Sequence, residues 1–183
     1  MTAEKIRTYL EDKHAEMLKL LERLVTIDNR STNKAGVDQI GAILQEEYER
    51  LGFSAERLEQ PHCGSSMILR REGPGRRVLL ICHLDSVYPA DMLDRPPLYR
   101  REGNLAYGPG VVDMKACLMG CLYAVKALLE TGAPIPALSI LMAGDEELGS
   151  LSITEEIIKE GKRSDFCLVT EGARPGMAVV IER

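Results

Sequence analysis

The sequence predicts an α/β fold, a mainly parallel, twisted sheet flanked by helices. Three observations carry this. The runs Arg77–Cys82, Leu138–Ala143 and Phe166–Thr170 are short and apolar almost throughout, as in strands buried on both faces. Segments of helical periodicity alternate with them. Each run also leads into side chains that bind metals or move protons: His83 and Asp85, then Asp145-Glu146-Glu147, then Glu171.

Length and composition set the class. A chain of 183 residues can bury one sizeable core, and 45% hydrophobic with 28% charged residues is ordinary for a soluble globular protein. A net charge of -5 argues against nucleic acid as a partner, because phosphate binding calls for a basic face. Trp is absent and Phe occurs twice, so stacking platforms are scarce. No apolar run approaches the roughly 18–20 residues that span a bilayer, and Met1-Thr2-Ala3-Glu4-Lys5 lacks the apolar core of a signal peptide. A cytoplasmic protein without membrane contact is expected. The cysteines, at 63, 82, 117, 121 and 167, form no CxxC pair and are odd in number, which favours buried free thiols over disulfides.

The elements follow in order. From Thr2 to about Val25, apolar residues at helical spacing predict one helix, with His14 on its charged face. Asp28-Asn29-Arg30-Ser31-Thr32-Asn33 is a loop of turn and cap formers. A second helix runs from about Ala35 to Leu51 and stops at Gly52. Phe53–Leu58 and Ser66–Arg71 are short strands around a loop in which His62 reads as an exposed side chain. After the turn at Glu72-Gly73-Pro74-Gly75 comes the strand Arg77–Cys82; Asp91–Arg101 is loop, and Glu102–Tyr107 a hairpin turn with a short strand. A mostly apolar third helix spans Lys115 to Glu130, with Cys117 and Cys121 on one face as core packing. Leu138–Ala143 is the next strand. A fourth helix, Ile153–Gly161, has Ser152 or Thr154 as its cap and Glu155-Glu156 in its first turn. Phe166–Thr170 follows, and Met177–Ile181 starts one more strand.

In open α/β sheets ligands bind at the carboxyl ends of the strands. His83, Asp85, Glu146, Glu147 and Glu171 follow such ends, and Asp113 joins them after a Gly-Pro-Gly turn. So many carboxylates in one crevice repel each other without a cation, and imidazole with carboxylates suits Zn, Mn or Co. A carboxylate can bridge two such metals, and the pair activates water. The His-x-Asp spacing lets the Asp85 carboxylate orient the His83 ring. Glu146 and Glu147 diverge as neighbours, so one serves as ligand and the other as general base, although an acidic pair also suits a helix start.

Three segments together resemble the signature segments of the M20 metallopeptidases: His83-Leu84-Asp85-Ser86-Val87, Gly108-Pro109-Gly110-Val111-Val112-Asp113-Met114-Lys115 and Asp145-Glu146-Glu147-Leu148-Gly149-Ser150. That family includes glutamate carboxypeptidase, acetylornithine deacetylase, succinyl-diaminopimelate desuccinylase and aminoacylases. Leu20–Leu51 is similar to its opening helix, loop and helix, and the overall look, with Val179–Arg183 at the end, is nearest to the glutamate carboxypeptidase branch. The resemblance implies two zinc ions, with cobalt or manganese as substitutes. It implies that His83 and Glu171 bind one metal, Asp113 bridges, and Glu147 binds the other. Glu146 would be the general base, Asp85 the partner of His83, and Asp113–Met114 a cis peptide. Ala116-Cys117 stands where the family commonly has Gly-Gly.

The resemblance further implies that residues 1–183 are the N-terminal part of a catalytic domain, without the inserted dimerisation domain and the C-terminal remainder that brings another His ligand. The intact enzyme would be a homodimer that hydrolyses an amide bond in a small peptide or N-acyl amino acid. The chain alone is expected to be inactive. Two other readings are a non-catalytic metal-binding or scaffold remnant and a flavodoxin-like domain. The second fails for want of a GxGxxG loop, since Gly108-Pro109-Gly110 runs into Asp113, which repels phosphate.

Overall fold

The computed structural model describes residues 2–173 of the 183. Five strands form one mixed sheet: β1 (Ser54–Leu58), β2 (Ser66–Arg71), β3 (Arg77–His83), β6 (Ala137–Ala143) and β7 (Phe166–Val169), in the order β1-β2-β6-β3-β7. A separate hairpin pairs β4 (Arg100–Glu102) with β5 (Leu105–Tyr107). The helices are α1 (Thr2–Asp12), α2 (His14–Val25), α3 (Lys34–Arg50), α4 (Ala116–Glu130) and α5 (Thr154–Lys162). No helix among the described residues is long and apolar enough to cross a membrane.

The parallel part of the sheet is the part that matters for chemistry. β3 runs parallel to both β6 and β7, so the carboxyl ends of these three strands share one edge. β1 and β2 are antiparallel additions on the far side of β6. Alternation along the strands splits the core into two layers. Met67, Leu69, Ile140 and Met142 pack with Leu24, Ile40, Leu44, Leu118 and Leu122 of α2, α3 and α4. Ile68, Leu79, Leu141 and Ala143 face the other way, against Ile153 and Ile157 at α5. Every residue of β6 is buried, which accounts for its unbroken apolar sequence.

Several expectations are refined. The first helix is two: α1 buries no residue, whereas α2 buries Leu21, Leu24 and Val25, and the two part at Lys13. The periodicity continues across this break, so the pattern alone does not mark it. The third helix begins one residue late because Val111–Lys115 forms an irregular turn, with non-helical dihedrals at Asp113 (φ -120°, ψ 93°) and Met114 (φ -130°, ψ 33°). The Asp113–Met114 peptide is cis. Neither Ser152 nor Thr154 caps α5; the N-cap is Ile153 without a side-chain hydrogen bond, and the Thr154 hydroxyl donates to the Ser150 carbonyl instead. The strand expected at Met177–Ile181 lies outside the described residues.

Candidate metal centre

His83 is the last residue of β3 and is 1% exposed. Its Nδ1 lies 2.9 Å from the main-chain oxygen of Asp85. A carbonyl only accepts, so Nδ1 carries the proton and Nε2 is left to face the crevice. There it meets carboxylates from three other segments. Asp113 Oδ1 is 2.9 Å away, Glu171 Oε1 3.4 Å and Glu146 Oε2 3.9 Å. A ligand atom of Glu147 completes a group with His83 and Asp113 in which all three lie within 4.8 Å of one another. The structure thus brings His83, Asp113, Glu146, Glu147 and Glu171 together; His14 and His62 are exposed and outside that group.

Asp85 does more than the one task expected. Its carboxylate stands 3.5 Å from His83 Nδ1, and its own carbonyl is nearer at 2.9 Å, so side chain and main chain both face the ring nitrogen. The chain leaves strand geometry after His83, which turns the Asp85 side chain beneath the next loop. There Oδ1 accepts from the Glu146 amide at 3.0 Å, and Oδ2 accepts from the Glu147 amide at 3.2 Å and from Ser31 Oγ at 2.7 Å. Asp85 is fully buried and holds the acidic loop by its backbone. Burial alone raises its pKa, but hydrogen bonds to His83 and Ser31 outweigh this and keep it low.

The electrostatics ask for a cation. Desolvation and the charge of Asp113 raise the pKa of Glu147. Glu171 is raised chiefly by desolvation as well, with Asp113 and Glu146 adding to it. Burial pulls His83 down, yet the hydrogen bond to Asp85 and the charges of Glu171, Asp85 and Glu146 push it up to about 9. Among the described residues, Glu147 Oε1 is buried without a hydrogen-bond partner. An orphaned carboxylate oxygen beside an imidazole nitrogen and further carboxylates fits a divalent metal, and the N/O donor set is that of zinc, cobalt or manganese.

The backbone around the cluster is closely fitted. Gly110 has φ +65°, and a Cβ there would lie 2.9 Å from Ser86 Oγ, the hydroxyl that donates to the Asp113 carbonyl. Gly144, between β6 and the acidic loop, would place a Cβ 2.2 Å from the Gly64 oxygen.

Two further contributors were not singled out from the sequence. In the Asp28–Asn33 loop, Asn29 Nδ2 donates to the Leu84 carbonyl at 2.7 Å, and Ser31 binds Asp85. Lys115 is fully buried, with Nζ donating to the Ile27 and Pro109 carbonyls, each at 3.1 Å, and burial lowers its pKa to about 7. A lysine heading an otherwise apolar helix was the available signal for the second; nothing local marks the first.

The family described as Peptidase family M20/M25/M40 matches residues 79–182, more than half of the chain. The chain belongs to this family. Among curated M20 relatives, carboxypeptidase G2 of Pseudomonas sp. (strain RS-16) is 32% identical over 169 residues, covering 90% of this chain and 40% of the relative. A succinyl-diaminopimelate desuccinylase of Maricaulis maris (strain MCS10) is 30% identical over 143 residues, or 74% of this chain and 36% of the relative. Human carnosine dipeptidase 1 superposes with a TM-score of 0.82 over 93% of this chain and 41% of that one, at 21% identity, a likeness of fold. The chain therefore spans about two fifths of the length of these M20 proteins.

Proposed function

We propose that this chain forms the metal-holding part of a hydrolase that cleaves an amide bond in small peptides or N-acyl amino acids. The observation that carries the reading is the meeting of His83 Nε2 with Asp113, Glu171 and Glu146 at 2.9, 3.4 and 3.9 Å, at the shared carboxyl edge of parallel strands. Family membership and the names of the relatives, a carboxypeptidase and a desuccinylase, support it. His83 and Glu171 would hold one zinc, Glu147 a second, with Asp113 between them. Bound zinc supplies Lewis-acid polarisation of the scissile carbonyl and makes a nearby water more acidic.

The chain's own residues have separate tasks. The Asp85 carbonyl fixes the proton on His83 Nδ1 and so keeps Nε2 available. Glu146, its side chain 48% exposed, is free to take a proton from the attacking water and deliver it to the leaving amine. Its backbone is clamped by Asp85, which limits where the carboxylate can swing. The full-length protein would act as a homodimer, and the 183-residue chain alone would turn over no substrate.

Calorimetric titration with zinc tests the reading. Wild type is expected to bind, and His83→Ala and Asp113→Ala to lose at least a hundredfold in affinity with unchanged circular dichroism. A folded wild-type chain that takes up no zinc would sink it. Hydrolysis of a dipeptide or an N-acyl amino acid by the 183-residue chain would overturn the expectation of inactivity.

A further inference from the structure

A cavity of about 330 Å³ opens beside the cluster, between the segment after β3 and the irregular turn before α4. It shares two walls with the metal centre. Asp113 faces His83, and Ser86 donates to the Asp113 carbonyl. The other walls are largely apolar. Val87, Met92 and Val112 are 73%, 36% and 69% exposed although each is a large hydrophobic residue. Single exposed aliphatic residues are ordinary on any protein surface. Three around one cavity that abuts a carboxylate cluster are a binding surface in form.

Charge at this place is already committed. Among the described residues, Asp113 is the one charged residue in the lining. Arg95 pairs with Asp91; Arg100 pairs with Glu102 and stacks over the ring of Tyr107, itself a wall, at 4.0 Å. A substrate carboxylate placed here would meet the Asp113 carboxylate, and among the described residues no cation lines the cavity. An apolar group would meet Val87, Met92 and Val112 and release water from them.

We infer that this cavity seats the apolar group flanking the scissile amide, an aliphatic or aromatic side chain or a short acyl chain of similar size. The inference rests on the proposed function and narrows its substrate class. The volume, at the lower end of the roughly 300–1,000 Å³ typical of small-molecule sites, is ample for one such group. Continuity with Asp113 and Ser86 makes the occupant part of a substrate held at the metal centre.

The test is a titration of the zinc-loaded 183-residue chain, labelled at Met and Val methyl groups for NMR. N-acetyl-L-leucinamide and the amide of N-acetyl-L-aspartic acid are compared, because they are similar in size and differ in polarity. Methyl shifts at Val87, Met92 and Val112 are expected with the first, and at least tenfold weaker binding of the second. Val87→Asn and Val112→Asn, at exposed positions, are expected to weaken the leucine ligand at least threefold with zinc stoichiometry unchanged. Equal affinity for the two ligands, or no shift at these methyl groups, overturns the inference. So do shifts that follow protein concentration without ligand, which mark a contact between copies. Failure to hold zinc would count against the metal centre instead, and the same titration without zinc still reads the cavity.

Discussion

At the scale of single residues, two buried carboxylates do unlike work. Asp85 accepts from two loop amides and one hydroxyl, so its value lies in what it positions. Asp85→Asn puts an amide NH₂ against at least one of those donors. Zinc affinity is expected to fall roughly 10–100-fold, the usual effect of losing a group that orients metal ligands, while helix content holds; competition against a fluorescent chelator measures it. Unchanged affinity would show that the acidic loop needs no such anchor. Glu160 is structural by contrast: 1% exposed, it receives Arg70 at 2.8 Å and Arg163 at 3.3 Å. Burial raises its pKa, but the Arg70 hydrogen bond and charge outweigh that and leave it lowered. A lowered carboxylate contributes stability that is present above its ordinary value of 4.5 and is lost as pH falls through the folded value. Glu160→Gln is expected to cost about 2 kcal/mol at neutral pH and to flatten the acid arm of the urea-midpoint profile. An acid arm as steep as that of wild type would refute this assignment.

At the scale of elements, the loops carry the site and the strands aim it. The loop after β6 and the loop before β2 touch backbone to backbone at Gly144 and Gly64. Gly144→Ala must push them apart, and about 2 kcal/mol of lost stability is expected, together with weaker zinc binding, because Glu146 and Glu147 ride on the displaced loop. Thermal melts and zinc titration check both; a neutral substitution would mean the loop yields freely. The strand β6 was legible because burial on both faces writes itself as unbroken apolar sequence at Leu138–Ala143, and β3 is apolar at Leu79–Cys82 though Leu80 and Ile81 are only half-buried. The apolar run of β7, expected to be buried on both faces, is exposed at Phe166, Leu168 and Val169 among the described residues. The acidic and histidine residues at their ends were legible for the same reason, since a strand end is where a buried run must stop. The antiparallel pairing of β2 with β6 was not, because register with a strand some seventy residues away leaves no local pattern. The same holds for Ser31 beneath Asp85. The Asp85 carboxylate does come within 3.5 Å of His83 Nδ1, but the nearer contact, from the Asp85 carbonyl at 2.9 Å, left no sign in the spacing.

At the scale of the whole molecule, the cluster concentrates like charge on an otherwise well-packed α/β unit. A ligand that binds the folded state alone stabilises it by mass action, about 2.7 kcal/mol at a hundredfold excess over Kd. Zinc at that excess is expected to raise Tm by roughly 5–10 °C for a chain of this size, and a chelator to reverse the gain; a Tm indifferent to zinc would place the metal elsewhere or nowhere. The reach of Asp85 has a further consequence, one of timing. It joins Ser31, 54 positions upstream, to the Glu146 amide, 61 positions downstream. Contacts so distant along the chain form late in folding. A nascent chain that has not yet laid β6 beside β3 therefore owns the ligands without their cradle, and stopped-flow refolding should show zinc uptake trailing the recovery of the far-ultraviolet signal. Uptake that runs ahead of it would mean that the metal recruits the sheet rather than waiting for the hydrogen bonds of Asp85.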